Sequence, residues 1–138
     1  MKYFIDTNIV IDFFNKKEEA IKQLVEIAQE EENLMYVNRL IVLESLRTIH
    51  FKNKKIYKDN KEKLELFEQL NIIPNIYEEA ILFSRYCHSK GIKLKGKCEA
   101  IDFLHFITAK YYNLIIITND KDFEKLEDIY QEFLEESK

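Results

Sequence analysis

Residues 114–118, Leu-Ile-Ile-Ile-Thr, are an unbroken apolar run ending in a threonine, with no polar position to turn toward water. Such a run reads as a strand covered on both faces, and sheets covered on both faces are built from parallel strands joined by helices. Three other segments suit the same sheet: KYFID (Lys2 to Asp6), LMYVN (Leu34 to Asn38) and, more weakly, NIIP (Asn71 to Pro74).

The intervals between them carry helical periods. Over residues 17–32, Ile21, Leu24, Val25 and Ala28 fall on one stripe. Further helices are expected over 39–51, 58–70 and 76–91, the last closing on Gly91 as a C-terminal cap, and over 98–112, which is apolar nearly all round. Strands separated by helices imply parallel crossovers, hence an α/β chain folded as a three-layer α/β/α sandwich around a mostly parallel sheet. With two glycines and one proline, the chain lacks the turn chemistry of an all-β sandwich or barrel. Its 138 residues suit one domain, 1–138, with one core.

Composition narrows the function classes. Apolar residues at 46% and charged residues at 33% describe a globular chain, and no apolar stretch approaches the roughly 20 residues of a membrane span. Asp6 breaks the short N-terminal apolar run, which argues against a secretory signal and for a cytoplasmic location. Cys87 and Cys98 have no CxxC spacing and read as reduced thiols in or near the core. A net charge of −4 gives no general attraction for nucleic acid, yet lysines cluster locally at Lys52, Lys54, Lys55 and Lys58, and at Lys90, Lys93, Lys95 and Lys97. On spacing alone a solvated face is the commoner meaning of such runs.

Most carboxylates lie in solvated stretches, but four do not. Asp6 ends the first strand and Asp120 follows the last, and the carboxyl ends of parallel strands are where ligand sites form. Glu44 interrupts the apolar face of Leu40 and Ile41, and Asp102 sits inside the apolar helix beside Ile101 and Phe103. Each has a structural alternative: Asp6 or Asp120 as a helix cap, Glu44 paired with Arg39 or Arg47, Asp102 as a hydrogen-bonded core acid. A doubly wound sheet, however, can bring the strand ends together with the flanking helices leaning over them. Two bare carboxylates ~5 Å apart repel by roughly 3 kcal/mol at an effective dielectric near 20, so such a cluster calls for protons or cations. A hard divalent ion, Mg²⁺ or Mn²⁺, takes oxygen ligands and a substrate phosphate together.

The ordered set FIDTNIVIDFF, LIVLESLR and AIDFLHFITAKYYNLIIITNDKDF resembles, over nearly the whole chain, the PIN domain family of metal-dependent ribonucleases, and most closely its small VapC-type toxins. The resemblance implies a sheet of four or five strands and an acidic pocket for one or two Mg²⁺ or Mn²⁺ ions. The family's acids fall on Asp6, Glu44, Asp102 and Asp120 as metal ligands, and Asn8 and Thr118 match positions that orient the site. It also implies an RNA substrate, a homodimer and a small antitoxin partner, and makes Lys52, Lys54, Lys55, Lys58, Lys93, Lys95 and Lys97 candidates for RNA phosphates.

Where a fifth strand is common in the family, EKLEDIYQEFLEESK has helix-like spacing, and Phe103, His105 and Phe106 are bulkier than the usual stretch after the third acid. Among other polar residues, His105, three residues after Asp102, reads as a core histidine with ligation as the lesser alternative, Asp122 as a cap for a helix opening at Phe123, and Asp12 as facing solvent or a basic neighbour. The eighteen tyrosines and phenylalanines read mostly as core by count, with Tyr57 or Phe51 as candidates for base stacking. Rival functions are a housekeeping RNA-processing nuclease, a non-catalytic PIN-like scaffold, and aspartyl-phosphate chemistry. The last is disfavoured because phosphatases of that type want D-x-D where this chain has D-T-N.

Overall fold

A computed structural model describes residues 1–96 and 98–137, so Lys97 lies outside the described residues. The chain divides into two compact units, Met1–Asn71 with Leu114–Asn119, and Ile72–Asn113 with the segment from Asp120 onward.

The first unit holds the sheet. Strands β1 (Lys2–Ile5), β2 (Leu34–Asn38), β3 (Glu68–Leu70) and β4 (Ile115–Ile117) are all parallel, in the order β3-β2-β1-β4. Phe4 stands opposite Tyr36 on one side and Ile116 on the other, which fixes β1 at the centre. From β1 the chain runs to β2 and β3 on one side, while β4 lies on the other. The switch point therefore falls between β1 and β4, the position at which open parallel α/β sheets commonly bind ligands.

Four helices belong to this unit: α1 (Thr7–Phe14), α2 (Glu18–Ala28), α3 (Arg39–Leu46) and α4 (Lys54–Lys63). Phe4, Ile5, Ile9, Val10, Leu24, Val37 and Ile41 are buried. The expected α/β architecture, a parallel sheet flanked by helices, is present.

Two strand assignments move. NIIP is not a strand: Pro74 opens the next helix, where its missing N–H costs nothing, and Ile73 before it is held extended at φ −83°, ψ 162°. The third strand is instead Glu68–Leu70, within the stretch expected to be helical, and that helix runs earlier, over Lys54–Lys63. β4 is also less covered than its apolar run suggests, with Ile115 41% exposed, because it forms an edge of the described sheet.

The second unit is helical: α5 (Pro74–Ser89), α6 (Glu99–Tyr111) and α7 (Asp122–Glu136). Phe83, fully buried, is the hub of an aromatic cluster, meeting Phe103, Phe106, Tyr130 and Phe133 with ring centroids 5.3–5.8 Å apart. The helix-like spacing near the C-terminus is realised as α7, and Ile129, Tyr130 and Phe133 lie on it. α5 ends as its sequence predicts. Gly91 takes φ 71°, its N–H bonds His88 O at 3.1 Å, and Ile92 N bonds Cys87 O at 3.0 Å, the paired bonds of a Schellman cap. Both cysteines are free; Cys87 is buried as expected, whereas Cys98 is exposed at the start of α6. No described helix is long and apolar enough to cross a membrane.

Candidate functional site

β1 ends on Ile5, and Asp6 follows in extended conformation, capping α1. Ile5 before it is fully buried, and Asp6 itself is only 6% exposed. It is not left bare: Thr7 N donates to Oδ1 at 2.8 Å, while Thr118 Oγ1 at 2.7 Å and Asn8 Nδ2 at 3.2 Å donate to Oδ2. A carboxylate offers about four lone-pair sites, so these three donors leave about one for a further partner. Capping and ligand holding are thus compatible roles for one side chain.

Thr118 stands just beyond β4, across the switch point from Asp6, and the backbone closes the same gap through Asp6 N to Ile117 O at 3.0 Å. Asn8 locks the arrangement, donating to Thr118 Oγ1 at 3.2 Å and accepting from Asn119 N at 3.1 Å. Asn119 Nδ2 in turn donates to Asp12, which is paired with Lys17 at 3.3 Å, the basic neighbour expected for that residue.

Glu44 reaches the same place from α3. Asn38, at the end of β2 and fully buried, accepts from Ile41 N at 2.9 Å and so sets where α3 begins. One turn on, Glu44 Oε1 accepts from Thr7 Oγ1 at 2.9 Å. Thr7 is the residue that sequence reasoning passed over: its N–H holds Asp6 and its hydroxyl holds Glu44. The middle letter of D-T-N was the available signal.

Asp102 and Asp120 belong to the second unit. Asp102 is in the first turn of α6 and half-buried. Asp120 Oδ1 accepts from Asp122 N at 2.9 Å, a cap-like bond at the start of α7. Asp122, expected as that helix's cap, is instead its first residue, and its buried carboxylate accepts from Lys95 N at 2.7 Å. His105 is buried in α6, in keeping with a core histidine. Lys52, Lys54, Lys55, Lys58, Lys93 and Lys95 are exposed, as are Phe51 and Tyr57, which are therefore not core residues.

Among the described residues, no group of three or more His, Cys, Asp and Glu side chains is gathered tightly enough to hold a metal ion as placed. The chemistry of the donor set nevertheless fits a hard cation. Asp6 and Glu44 present carboxylate oxygens, and the groups that orient them are hydroxyls and amides.

The PIN domain family model matches residues 3–129, a span that takes in residues of both units. Among solved structures, "Crystal structure of VapBC2 from Rickettsia felis bound to a DNA fragment from their promoter" contains a similar chain. The two are 19% identical with a TM-score of 0.77, over 91% of this chain and 93% of that one. At that identity the likeness is one of fold. No curated protein matches the chain.

Proposed function

The chain belongs to the PIN domain family, and from that premise we propose that it is a divalent-metal-dependent endoribonuclease, the toxin of a type II toxin–antitoxin pair, acting as a single domain over residues 1–138. The observation that carries this reading is the double use of Thr7, which fixes two carboxylates from different elements at the carboxyl end of the central strand. A buried cap needs hydrogen-bond donors in any case, so it is the link through Thr7 to a second acid, Glu44, that supports a ligand pair. The fold likeness to a chain of a VapBC2 complex supports the toxin assignment and a small antitoxin partner. A homodimer is part of the same proposal.

In the proposed site, Asp6, Glu44, Asp102 and Asp120 hold Mg²⁺ or Mn²⁺, directly or through water. The bound ion supplies a lowered water pKa and charge stabilisation for in-line displacement at a phosphodiester. The protein's own part is positional: Thr7, Asn8 and Thr118 hold the Asp6 carboxylate and Thr7 holds that of Glu44, so that these two need little reorganisation when substrate arrives. Hydrolysis of this kind leaves a 5′-phosphate and a 3′-hydroxyl. Since four acids repel RNA, affinity is assigned to the exposed lysines Lys52, Lys54, Lys55, Lys58, Lys93 and Lys95, with Lys97 outside the described residues.

The test is cleavage of end-labelled RNA by the full chain with Mg²⁺ or Mn²⁺, with EDTA, and by Asp102→Asn purified identically to reveal contaminating nuclease. Metal-dependent cleavage that disappears in the variant is expected. Equal behaviour of wild type and variant on several structured RNAs, with no metal binding by calorimetry, would replace the nuclease by a PIN-like scaffold.

A further inference from the structure

Between α5 and α6, the backbone N–H groups of Gly91, Ile92, Leu94 and Lys95 are each held by a hydrogen bond. Gly91 and Ile92 are tied into the cap of α5. Leu94, buried, donates its N–H to Glu99 Oε2 at 2.8 Å, and Lys95 donates its N–H to Asp122 Oδ2 at 2.7 Å. Two acids from two helices thus grip successive amides of one loop. Asp122, only 8% exposed, donates its own N–H to Asp120, which fixes where the gripping carboxylate stands.

The next residue, Gly96, lies directly against Asp102. A Cβ added there would overlap Asp102 Oδ2 and stand 3.5 Å from its Cγ. Gly96 is not in the left-handed region, so its backbone conformation does not call for glycine. Space does: the side chain that glycine lacks is the volume the Asp102 carboxylate occupies.

We propose that Gly96 and Asp122 are positioning residues for Asp102: Asp122, with Glu99, pins the Leu94 and Lys95 amides just before Gly96, and Gly96, having no Cβ, leaves the space that the Asp102 carboxylate occupies. This rests on the reading of Asp102 as a metal ligand. A ligand carboxylate needs a defined direction, and groups that orient ligands change metal affinity without touching the metal. Asp122 does so at one remove, through a backbone amide.

Mn²⁺ binding to the full chain, followed by titration calorimetry, tests the proposal, with thermal midpoints showing that each variant is folded. Asp102→Asn and Gly96→Ala are each expected to weaken Mn²⁺ binding by about 10- to 100-fold. Asp122→Ala is expected to act in the same direction and to speed hydrogen exchange at the Lys95 amide in metal-free protein. Asp122→Asn keeps an oxygen for that amide and restores part of the loss. If Asp102→Asn weakens binding while folded Gly96→Ala binds as wild type does, the positioning role is overturned and the nuclease reading stands. Unchanged Lys95 exchange in Asp122→Ala overturns the clamp. Wild-type Mn²⁺ affinity in Asp102→Asn removes Asp102 from the ligand set, and the positioning role goes with it.

Discussion

Thr7 and Glu44, 37 residues apart in sequence, are joined by a hydrogen bond of 2.9 Å from hydroxyl to carboxylate, while the same threonine's N–H holds Asp6 at 2.8 Å. Replacing the hydroxyl by a methyl group of like size isolates this link. Thr7→Val is expected to cost about 0.5–1.5 kcal/mol of stability, the net worth of one hydrogen bond, and to reduce metal affinity or RNA cleavage by about 10- to 100-fold. Thr7→Ser, which keeps the oxygen, should recover most of both. Urea unfolding and calorimetric Mn²⁺ titration read the two effects separately.

The exposed lysines of the α4 region lie apart in sequence from the acids, so their removal should affect RNA binding without affecting metal. Replacing Lys52, Lys54, Lys55 and Lys58 together by glutamine is expected to weaken binding to single-stranded RNA. The slope of log K against log salt should flatten by about 0.7 for each phosphate no longer neutralised. Fluorescence anisotropy at several salt concentrations measures this, and an unchanged slope excludes these lysines from the interface.

Burial pushes the Cys87 thiol up to about 11, with the Glu99 carboxylate adding to the shift. Its neutral form is therefore favoured in the folded chain. That stabilising contribution is fully present below the unfolded thiol's pKa, about 8.5, and is lost as pH rises through about 11. Stability should fall on the alkaline side over this window, and Cys87→Ala should remove that part of the dependence. At neutral pH, iodoacetamide should label exposed Cys98 and reach Cys87 only after unfolding, as peptide mass analysis would show.

Phe83 anchors the second unit, stacked on Phe106 at 24° between planes and meeting Tyr130 edge-on at 88°. Phe83→Ala removes a fully buried ring and is expected to cost about 3–5 kcal/mol. Phe83→Leu should cost less, since it refills part of the cavity. Chemical denaturation of both variants gives the comparison.

What could be read in advance, and what could not, follows from the range of the interactions involved. Asp6 stood out because apolar neighbours on both sides left it nowhere to go but the end of a buried strand, and α7 was legible because Ile129, Tyr130 and Phe133 repeat on one helical face. β3 was misplaced for the opposite reason. Glu68 and Gln69 are exposed, so this short edge strand carries no apolar alternation, and its identity comes from pairing with Val37 and its neighbours rather than from its own pattern. Gly96 and the loop partner of Asp122 were equally silent: the lysine-rich loop offers no period, and the bond from Lys95 to Asp122 crosses 27 residues. Asp122 looked like a cap because caps are local, and its actual partner is not.

The clamp on Asp6 also has a consequence for synthesis. Its capping partner, Thr7, is the very next residue, but the hydroxyl of Thr118 lies 112 residues downstream, and β4, which pairs with β1, comes after the other three strands of the described sheet. A sheet whose central strand waits for its final neighbour has high contact order and closes late. At about 5–20 residues per second of translation, Thr118 follows Asp6 by roughly 6–22 s. During that interval a ribosome-bound chain displays the aspartate without the strand that completes its setting, so the finished arrangement arises only after β4 has been made.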